Sequence, residues 1–369
     1  IARMVSEKTG VKILSTTNPN YKGTQLDGFQ NVVNRYVTDL MERPQEIRKG
    51  SVNLLGVLPG EHNWRNDLKE FHRILQALGL TVHCTLVGDK TSVREILEAP
   101  QAEVNCLVYP EAGLSTARLM EERFGTPYLE TQFPPIGIDS SREWILKIAE
   151  FFGRRERAES FLEGEMEAMG RALSRLEEGQ IFNLQFLFGK TYALEAMPFV
   201  IPAVVKFLRE DLNMSPTTLA FQEYHEVSHA RLARVLRENE LSPEIQTDGD
   251  HKAFLESVKG EYARDGRYPD SRPSLVIGST LDSLIFAFEG IRLPVLKLSY
   301  PVLDEAIITD NPFVGLRGVV TLVERVHNLI HQKYWYTGQA FGNHPDPYAV
   351  AKSLTARSRM AAKAQATPG

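Results

Sequence analysis

Two histidines four residues apart on a helix share a face and can hold Zn²⁺, with a glutamate between them activating a bound water. His225-Glu226-Val227-Ser228-His229 has that spelling. Its context predicts a different role. The motif falls where the apolar run Leu219-Ala220-Phe221 turns into a helix, no further HxxGxxH follows, and the nearest acidic residues, Glu238 and Glu240, crowd the same helix. A zinc peptidase is therefore the minor reading, and a polar strand-to-helix loop the major one. Gly189-Lys190-Thr191 has the ending of a phosphate loop. The position of its first glycine holds Leu184, and without glycines the backbone amides cannot wrap a phosphate, so a strand start is expected. Gly56-Val57-Leu58-Pro59-Gly60 misses GxGxxG, which argues against a dinucleotide cofactor.

Three further groups remain. His327 and His331 are also four apart, on a predicted helix over 319–332; no third ligand is evident and a solvated helix face is expected. The only cysteines, Cys84 and Cys106, fall inside predicted strands over 81–87 and 104–109, where buried, inert thiols are expected. No Ser-His-Asp arrangement follows from spacing. The residues supply no self-contained active site, which points to a site shared with another chain.

The elements that must position these residues alternate between strand and helix. Predicted strands cover 52–57, 81–87, 104–109 and 127–129, with helices over 66–78, 91–98 and 113–124 closed by Gly79 and Gly125. A second series runs from a strand at 191–194 through helix 198–212, strand 218–221 and helix 227–238. It then enters Ser274–Gly318, where Leu275-Val276-Ile277, a helix capped by Ser279 or Thr280, and Pro294–Leu298 form another strand–helix–strand unit. The loop after Tyr300-Pro301, with Asp304, Asp310 and Gly315, lies past the carboxyl end of a strand. Open α/β sheets place ligands there, but its residues name no reaction. The fold class is thus α/β, with repeated Rossmann-like domains built on doubly wound parallel sheets. The expected organisation is an N-terminal arm over 1–50, a Rossmann-like domain over 51–135, a helical connector over 136–188, a second Rossmann-like domain over 189–300, and a C-terminal loop, helix and tail over 301–369. Within the arm, Val11–Leu14 reads as a strand and Asp27–Arg43 as an amphipathic helix.

Length and composition bound the possibilities. A chain of 369 residues calls for two or three domains, and 43% hydrophobic with 24% charged residues is globular, with no apolar run long enough for a bilayer. A net charge of −5 argues against nucleic acid as a partner. Two cysteines without a disulfide pattern suit a reducing, cytoplasmic setting. The chain begins with Ile inside a helix-like run, so a preceding segment is expected to be missing.

Several phrases in order resemble the component 1 proteins of nitrogenase and the nitrogenase-like reductases. They are Asn18–Thr24 with Asp27-Gly28-Phe29, Val52–Gly56, Pro135–Ile138 with Trp144 and Ile148-Ala149, Ser299–Asp304, and Pro312–Gly318. The likeness covers roughly residues 10–335 and is greatest to the β-type subunit. It implies a homologous α-type partner in an α2β2 heterotetramer and an ATP-dependent iron–sulfur reductase that docks on it. An iron–sulfur, P-cluster-like centre would lie at the subunit interface and relay electrons to a catalytic metallocluster in the α-type chain. Its cysteine ligands would lie partly outside this sequence and partly in the partner; Cys84 and Cys106 do not match those positions. The resemblance places Asn20 and Tyr21 near the interface cluster, with Asn20 where the nitrogenase β subunit has a serine, so alkoxide ligation is not expected. Residues 189–198 depart from the usual strand after the connector. A methylthio-alkane reductase or a divergent nitrogenase is the implied reductase, with protochlorophyllide-type and nickel-porphinoid reductases fitting less well. A non-catalytic cluster-assembly scaffold of the same family is the alternative.

Overall fold

The computed structural model describes all residues except 17, 19–22, 177–183, 264–272, 292 and 337–369. Two parallel sheets carry the fold. The first has the order β2-β1-β3-β4, from β1 (Arg48–Leu55), β2 (Thr81–Thr85), β3 (Ala102–Leu107) and β4 (Tyr128–Leu129). The second has the order β7-β6-β5-β8-β9, from β5 (Thr191–Ala196), β6 (Ser215–Phe221), β7 (Glu244–Gln246), β8 (Leu275–Gly278) and β9 (Val295–Lys297). Every pairing is parallel. In each sheet the first strand of the series sits inside and later strands are added on both sides. The chain order therefore reverses beside β1 and beside β5, and the helices that follow the strands diverge there to leave a crevice.

The central strands are apolar on both faces because helices cover both. Val52, Leu54 and Leu55 of β1 are fully buried, and Val52 and Leu55 stand opposite Val104 and Leu107 of β3. One polar pair interrupts the run. Asn53 and Asn105 are in register, and Asn53 Nδ2 donates to Asn105 Oδ1 at 2.8 Å and to the Ala99 carbonyl at 2.8 Å. Gly56 leaves β1 with φ +84°, and a Cβ there would lie 2.5 Å from the Tyr109 carbonyl oxygen; only glycine allows β1 to pass so close to the following crossover.

The helices are α1 (Ala2–Thr9), α2 (Gln25–Arg35), α3 (Trp64–Ala77), α4 (Val93–Glu98), α5 (Pro110–Phe124), α6 (Ile138–Phe151), α7 (Arg155–Ser174), α8 (Ile201–Glu210), α9 (Glu226–Glu238), α10 (His251–Ala263), α11 (Thr280–Phe288) and α12 (Gly315–Tyr336). Helix α3 buries Phe71, Ile74 and Leu75, the apolar spacing of one helix face. Phe71 meets Trp144 of α6 with ring centroids 5.2 Å apart, and Trp144 Nε1 donates to the Leu107 carbonyl at 2.9 Å. Helix α12 lays Val319, Leu322, Val323, Val326 and Ile330 into the core shared with α6 and α7, and also meets β8 and β9.

Three expectations are corrected. Val11–Leu14 forms no strand: Val11 is exposed and no sheet edge lies beside it to supply backbone partners. The helix expected over 27–43 leaves α-geometry after Arg35 and continues as a π-helical turn, Tyr36–Leu40. His327 is buried rather than solvated, its ring 5.5 Å from that of His331. The tail expected after Tyr336 lies outside the described residues.

Candidate functional site

The loops that leave the carboxyl ends of the two sheets come together at one junction. From the first sheet come Glu61 and His62, after β1, and Tyr109, Pro110 and Glu111, after β3. From the second come Met197 to Phe199, after β5, and Gln222 to His225, after β6. Tyr109 and Phe199 touch across it, with ring centroids 5.0 Å apart.

Carboxyl groups concentrate here. Burial, and secondarily the charge of Glu223, pushes the Glu61 carboxyl up to about 8, so it holds its proton at neutral pH. Asp67, at the start of α3, is pushed up to about 7 by burial, although the Phe313 amide donates to its Oδ1 at 2.6 Å. Both groups, after burial itself, raise the Tyr109 phenol. Burial also raises Glu223, while the Gln25 amide, donating to Glu223 Oε2 at 2.9 Å, works against the shift. Glu305 goes the other way: burial alone would raise it, but His62, 3.3 Å away, and Arg325 hold it below the usual range.

Glu111, almost fully buried at the start of α5, receives Arg231 Nη1 at 2.8 Å and Ser228 Oγ at 3.0 Å, both from α9. Arg231 also reaches Glu130 Oε1 at 2.8 Å, beyond β4. This network ties the two lobes together.

The HEVSH sequence is part of that tie. His225 is the N-cap of α9, with φ −143°, and its Nδ1 accepts from the Ser228 amide at 3.4 Å. It stands outside the helix, so His225 and His229 do not share a helical face; His229 instead lies against Phe221 and Tyr224. The zinc peptidase reading is corrected on that geometry. Gly189-Lys190-Thr191 is a strand start, as expected: the Gly189 amide donates to the Asn213 carbonyl at 2.9 Å and Thr191 opens β5. In the loop after Tyr300-Pro301, Asp304 receives Thr280 Oγ1 at 2.5 Å and Lys297 Nζ at 2.7 Å, and Asp310 pairs with Lys69, so both acids fix the loop.

Asn20 and Tyr21 lie outside the described residues. The described chain that follows is held at α2: Thr24 and Asp27 form a capping box, and the Gln25 amide donates to Glu223. Thr24→Ala is expected to cost about 1 kcal/mol and to speed amide exchange at Asp27 and Gly28 in α2. Unchanged exchange there would show that the cap does not hold the start of α2 in place.

A second cluster occupies the crevice between β5 and β8. Glu195 near the end of β5, His251 at the start of α10 and Asp282 in the first turn of α11 present ligand atoms within 4.8 Å of one another, a set that can hold a metal ion. His251 Nδ1 is 2.6 Å from Glu195 Oε2 and 3.8 Å from Asp282 Oδ1. The bond to Glu195, foremost, raises His251; burial, then the neighbouring Glu195, raises Asp282. No sequence motif singles out this trio. The available signal is a charged residue at the carboxyl end of an otherwise apolar strand, Tyr192-Ala193-Leu194-Glu195-Ala196.

Two parallel sheets, each with its strand order reversing at an inner strand and with carboxyl groups gathered where their carboxyl-end loops meet, define a two-lobed α/β protein of Rossmann-like architecture. The chain belongs to the nitrogenase component 1 type oxidoreductases, whose family model matches residues 1–331. A solved nitrogenase chain, Cp1 at pH 6.5, superimposes with a TM-score of 0.73 at 21% identity, over 90% of this chain and 71% of that one. The nitrogenase molybdenum-iron protein alpha chain of Methanothermobacter marburgensis is 25% identical over 342 residues, 91% of this chain and 64% of that relative. The beta chain of Clostridium pasteurianum is 24% identical over 345 residues, 88% of this chain and 69% of the relative. Alpha and beta chains are thus about equally similar. A light-independent protochlorophyllide reductase chain from Prosthecochloris aestuarii is 27% identical over 311 residues, 79% of this chain and 54% of the relative, so identity does not set that class below the others. The chain spans 64% of the length of the Methanothermobacter marburgensis relative. Among the described residues no helix is long and apolar enough to cross a membrane.

The iron–sulfur cluster implied by the family calls for thiolates. Cys84 and Cys106 do not fit: both are buried in strands, and burial pushes the Cys84 thiol up to about 12 and Cys106 higher still. The Glu195–His251–Asp282 set offers oxygen and nitrogen, the donors of a single divalent ion rather than of a thiolate-held cluster.

Proposed function

We propose that this chain is the β-type subunit of a nitrogenase-like reductase complex, paired with a homologous α-type chain and fed by an ATP-dependent iron–sulfur reductase. The substrate is a small molecule reduced by several electrons, of methylthio-alkane or dinitrogen type. One observation carries the reading: the chain has the component 1 fold, yet both of its thiols are buried inside strands. A chain so built gives shape and polar groups to the assembly and takes no thiolate ligand from Cys84 or Cys106. Its own contribution where the lobes meet is a proton held on the Glu61 carboxyl beside Glu223; Asn20 and Tyr21 are proposed, on the family resemblance alone, to lie near the interface cluster. An interface cluster, when bound, would supply electron relay.

The test is anaerobic purification of the native complex with its partner chain. Iron is expected in the complex and not in this chain alone. The double variant Cys84→Ala, Cys106→Ala is expected to keep the complex's iron, and the complex to reduce a methylthio-alkane or dinitrogen with the ATP-dependent reductase. Iron held by the isolated chain and lost with those cysteines would overturn the reading. A second reading, a cluster-assembly scaffold, is favoured by 24% identity over 157 residues to the cofactor biosynthesis protein NifE of Clostridium pasteurianum. Cluster-loaded complex without turnover on any substrate would select it.

A further inference from the structure

The structure assigns a mononuclear divalent cation site to Glu195, His251 and Asp282, at the crevice between β5 and β8. This site is independent of the cluster and of the subunit role proposed above.

Three observations converge on it. The first is position. Chain order reverses at β5, so the helices after β5 and β8 leave in opposite directions, and the space between them is where sheets of this kind take ligands. Each donor comes from a different element: the end of β5, the start of α10 and the first turn of α11. The second is chemistry. Two carboxylates and one imidazole suit a first-row divalent ion such as Mn²⁺, Fe²⁺ or Zn²⁺. Ligands bonded at about 2.1 Å to one ion stand roughly 3–3.5 Å apart. The observed 2.6 and 3.8 Å separations straddle that span, so rotation of the His251 ring and the Glu195 carboxyl would meet it without moving the backbone.

The third observation is an unmet need. Asp282 is 1% exposed, and its Oδ2 is used, accepting from the Ser279 amide at 2.6 Å and Ser279 Oγ at 2.8 Å. Its Oδ1 lies 3.8 Å from His251 Nδ1, and no N–H or O–H donates to it; the neighbour on that side is the carboxyl of Glu195. A buried carboxylate oxygen without a donor is costly, and a second buried carboxyl, that of Glu195, shares the space. A cation bonded to both carboxylates and the imidazole removes that cost.

Three protein donors leave coordination positions for water, the arrangement of exchangeable sites and not of closed structural ones. The opening lies at His251, whose side chain is 31% exposed while those of Glu195 and Asp282 are buried. Of the neighbouring acids, Asp250 Oδ1 accepts from the amides of Lys252 and Ala253, at the start of α10, and Asp248 Oδ1 from the Asp250 amide.

The experiment is titration of the full chain, stripped with chelator, with Mn²⁺ followed by electron paramagnetic resonance and with Zn²⁺ by calorimetry. One ion per chain is expected, together with a rise in melting temperature that depends on metal concentration. Glu195→Gln keeps the side chain's shape and leaves the Ser279–Asp282 cap intact, and is expected to weaken binding by at least about tenfold while the circular dichroism spectrum is unchanged. His225→Gln, the control for adventitious binding at HEVSH, is expected to leave the stoichiometry and affinity for Mn²⁺ and Zn²⁺ unchanged, whatever loss of the α9 cap does to the melting temperature of the metal-free chain. No saturable binding to the folded chain, unchanged affinity in Glu195→Gln, or loss of binding in His225→Gln would each overturn the assignment. None of these readouts depends on iron content or turnover, so failure here leaves the proposed subunit role untouched.

Discussion

Arg231→Met is expected to destabilise the protein by about 3 kcal/mol, and to do so by loosening the junction between the lobes. Arg231 is largely buried and bridges Glu111 on α5 and Glu130 beyond β4, both at 2.8 Å, from its place on α9. Methionine keeps most of the volume and removes the charge. Glu111, 2% exposed in its side chain, then retains only the Ser228 hydroxyl on Oε1, because its Oε2 has no partner at all. A buried carboxylate stripped of its cation costs far more than an exposed pair would, since exposed pairs contribute about 0–1 kcal/mol. Glu130 is partly exposed and can be solvated, which keeps the expected loss at the lower end of the range. Glu111→Gln in the Arg231→Met background removes the stranded charge and still accepts from Ser228, so it should recover roughly half of the loss. The measurement is urea denaturation of the four members of the cycle. A loss under about 1 kcal/mol in the single variant, or no recovery in the double, would mean that the bridge does not hold the lobes together.

The fold was legible because apolar runs stop at residues with defined physical jobs. Val52–Leu55 ends at Gly56, where no other residue fits beneath the Tyr109 carbonyl, and α5 ends at Gly125 with φ +74°. What escaped lacks that punctuation. Strand β7 is only Glu244-Ile245-Gln246, polar at both ends, and α10 shows its apolar face only as Phe254, Leu255 and Val258 amid charges. Val11–Leu14 has the composition of a strand, but composition cannot report that no neighbouring strand stands beside it.

The site was much less legible, for a reason of distance along the chain. Glu61 and Glu223, and Glu111 and Arg231, belong to different lobes, and no spacing rule links residues so far apart in sequence. Short-range patterns pointed instead at His225–His229, which the structure uses as a helix cap. Glu195, His251 and Asp282 meet because β5, α10 and α11 converge at the reversal of strand order. That convergence is a property of topology, visible once the order β7-β6-β5-β8-β9 is known and invisible in any one segment.

The wild-type protein should lose stability between pH 6 and pH 9, and Glu61→Gln should remove a large part of that loss. The sign follows from the raised carboxyl. In the unfolded chain Glu61 titrates near 4.5, and in the fold near 8, so the folded state holds a proton that the unfolded state has released. The stabilisation is complete below about 4.5 and disappears as pH rises through about 8. A shift of that size corresponds to several kcal/mol at most; with Glu61 half-buried and reachable by water, about 2–3 kcal/mol is the expected change. Asp67, raised to about 7, and Asp211, raised to about 6, act in the same direction, so the variant's curve should flatten without becoming level. Glutamine keeps the neutral hydrogen-bonding form at every pH, and at pH 9 Glu61→Gln should be more stable than wild type. Urea midpoints of both proteins at pH 6 and 9 decide it, and parallel curves would mean that Glu61 is already ionised in the fold. Function separates from stability in the same variant: glutamine cannot give up a proton, so a complex that gains stability at high pH yet slows in turnover would place the Glu61 proton in the reaction itself.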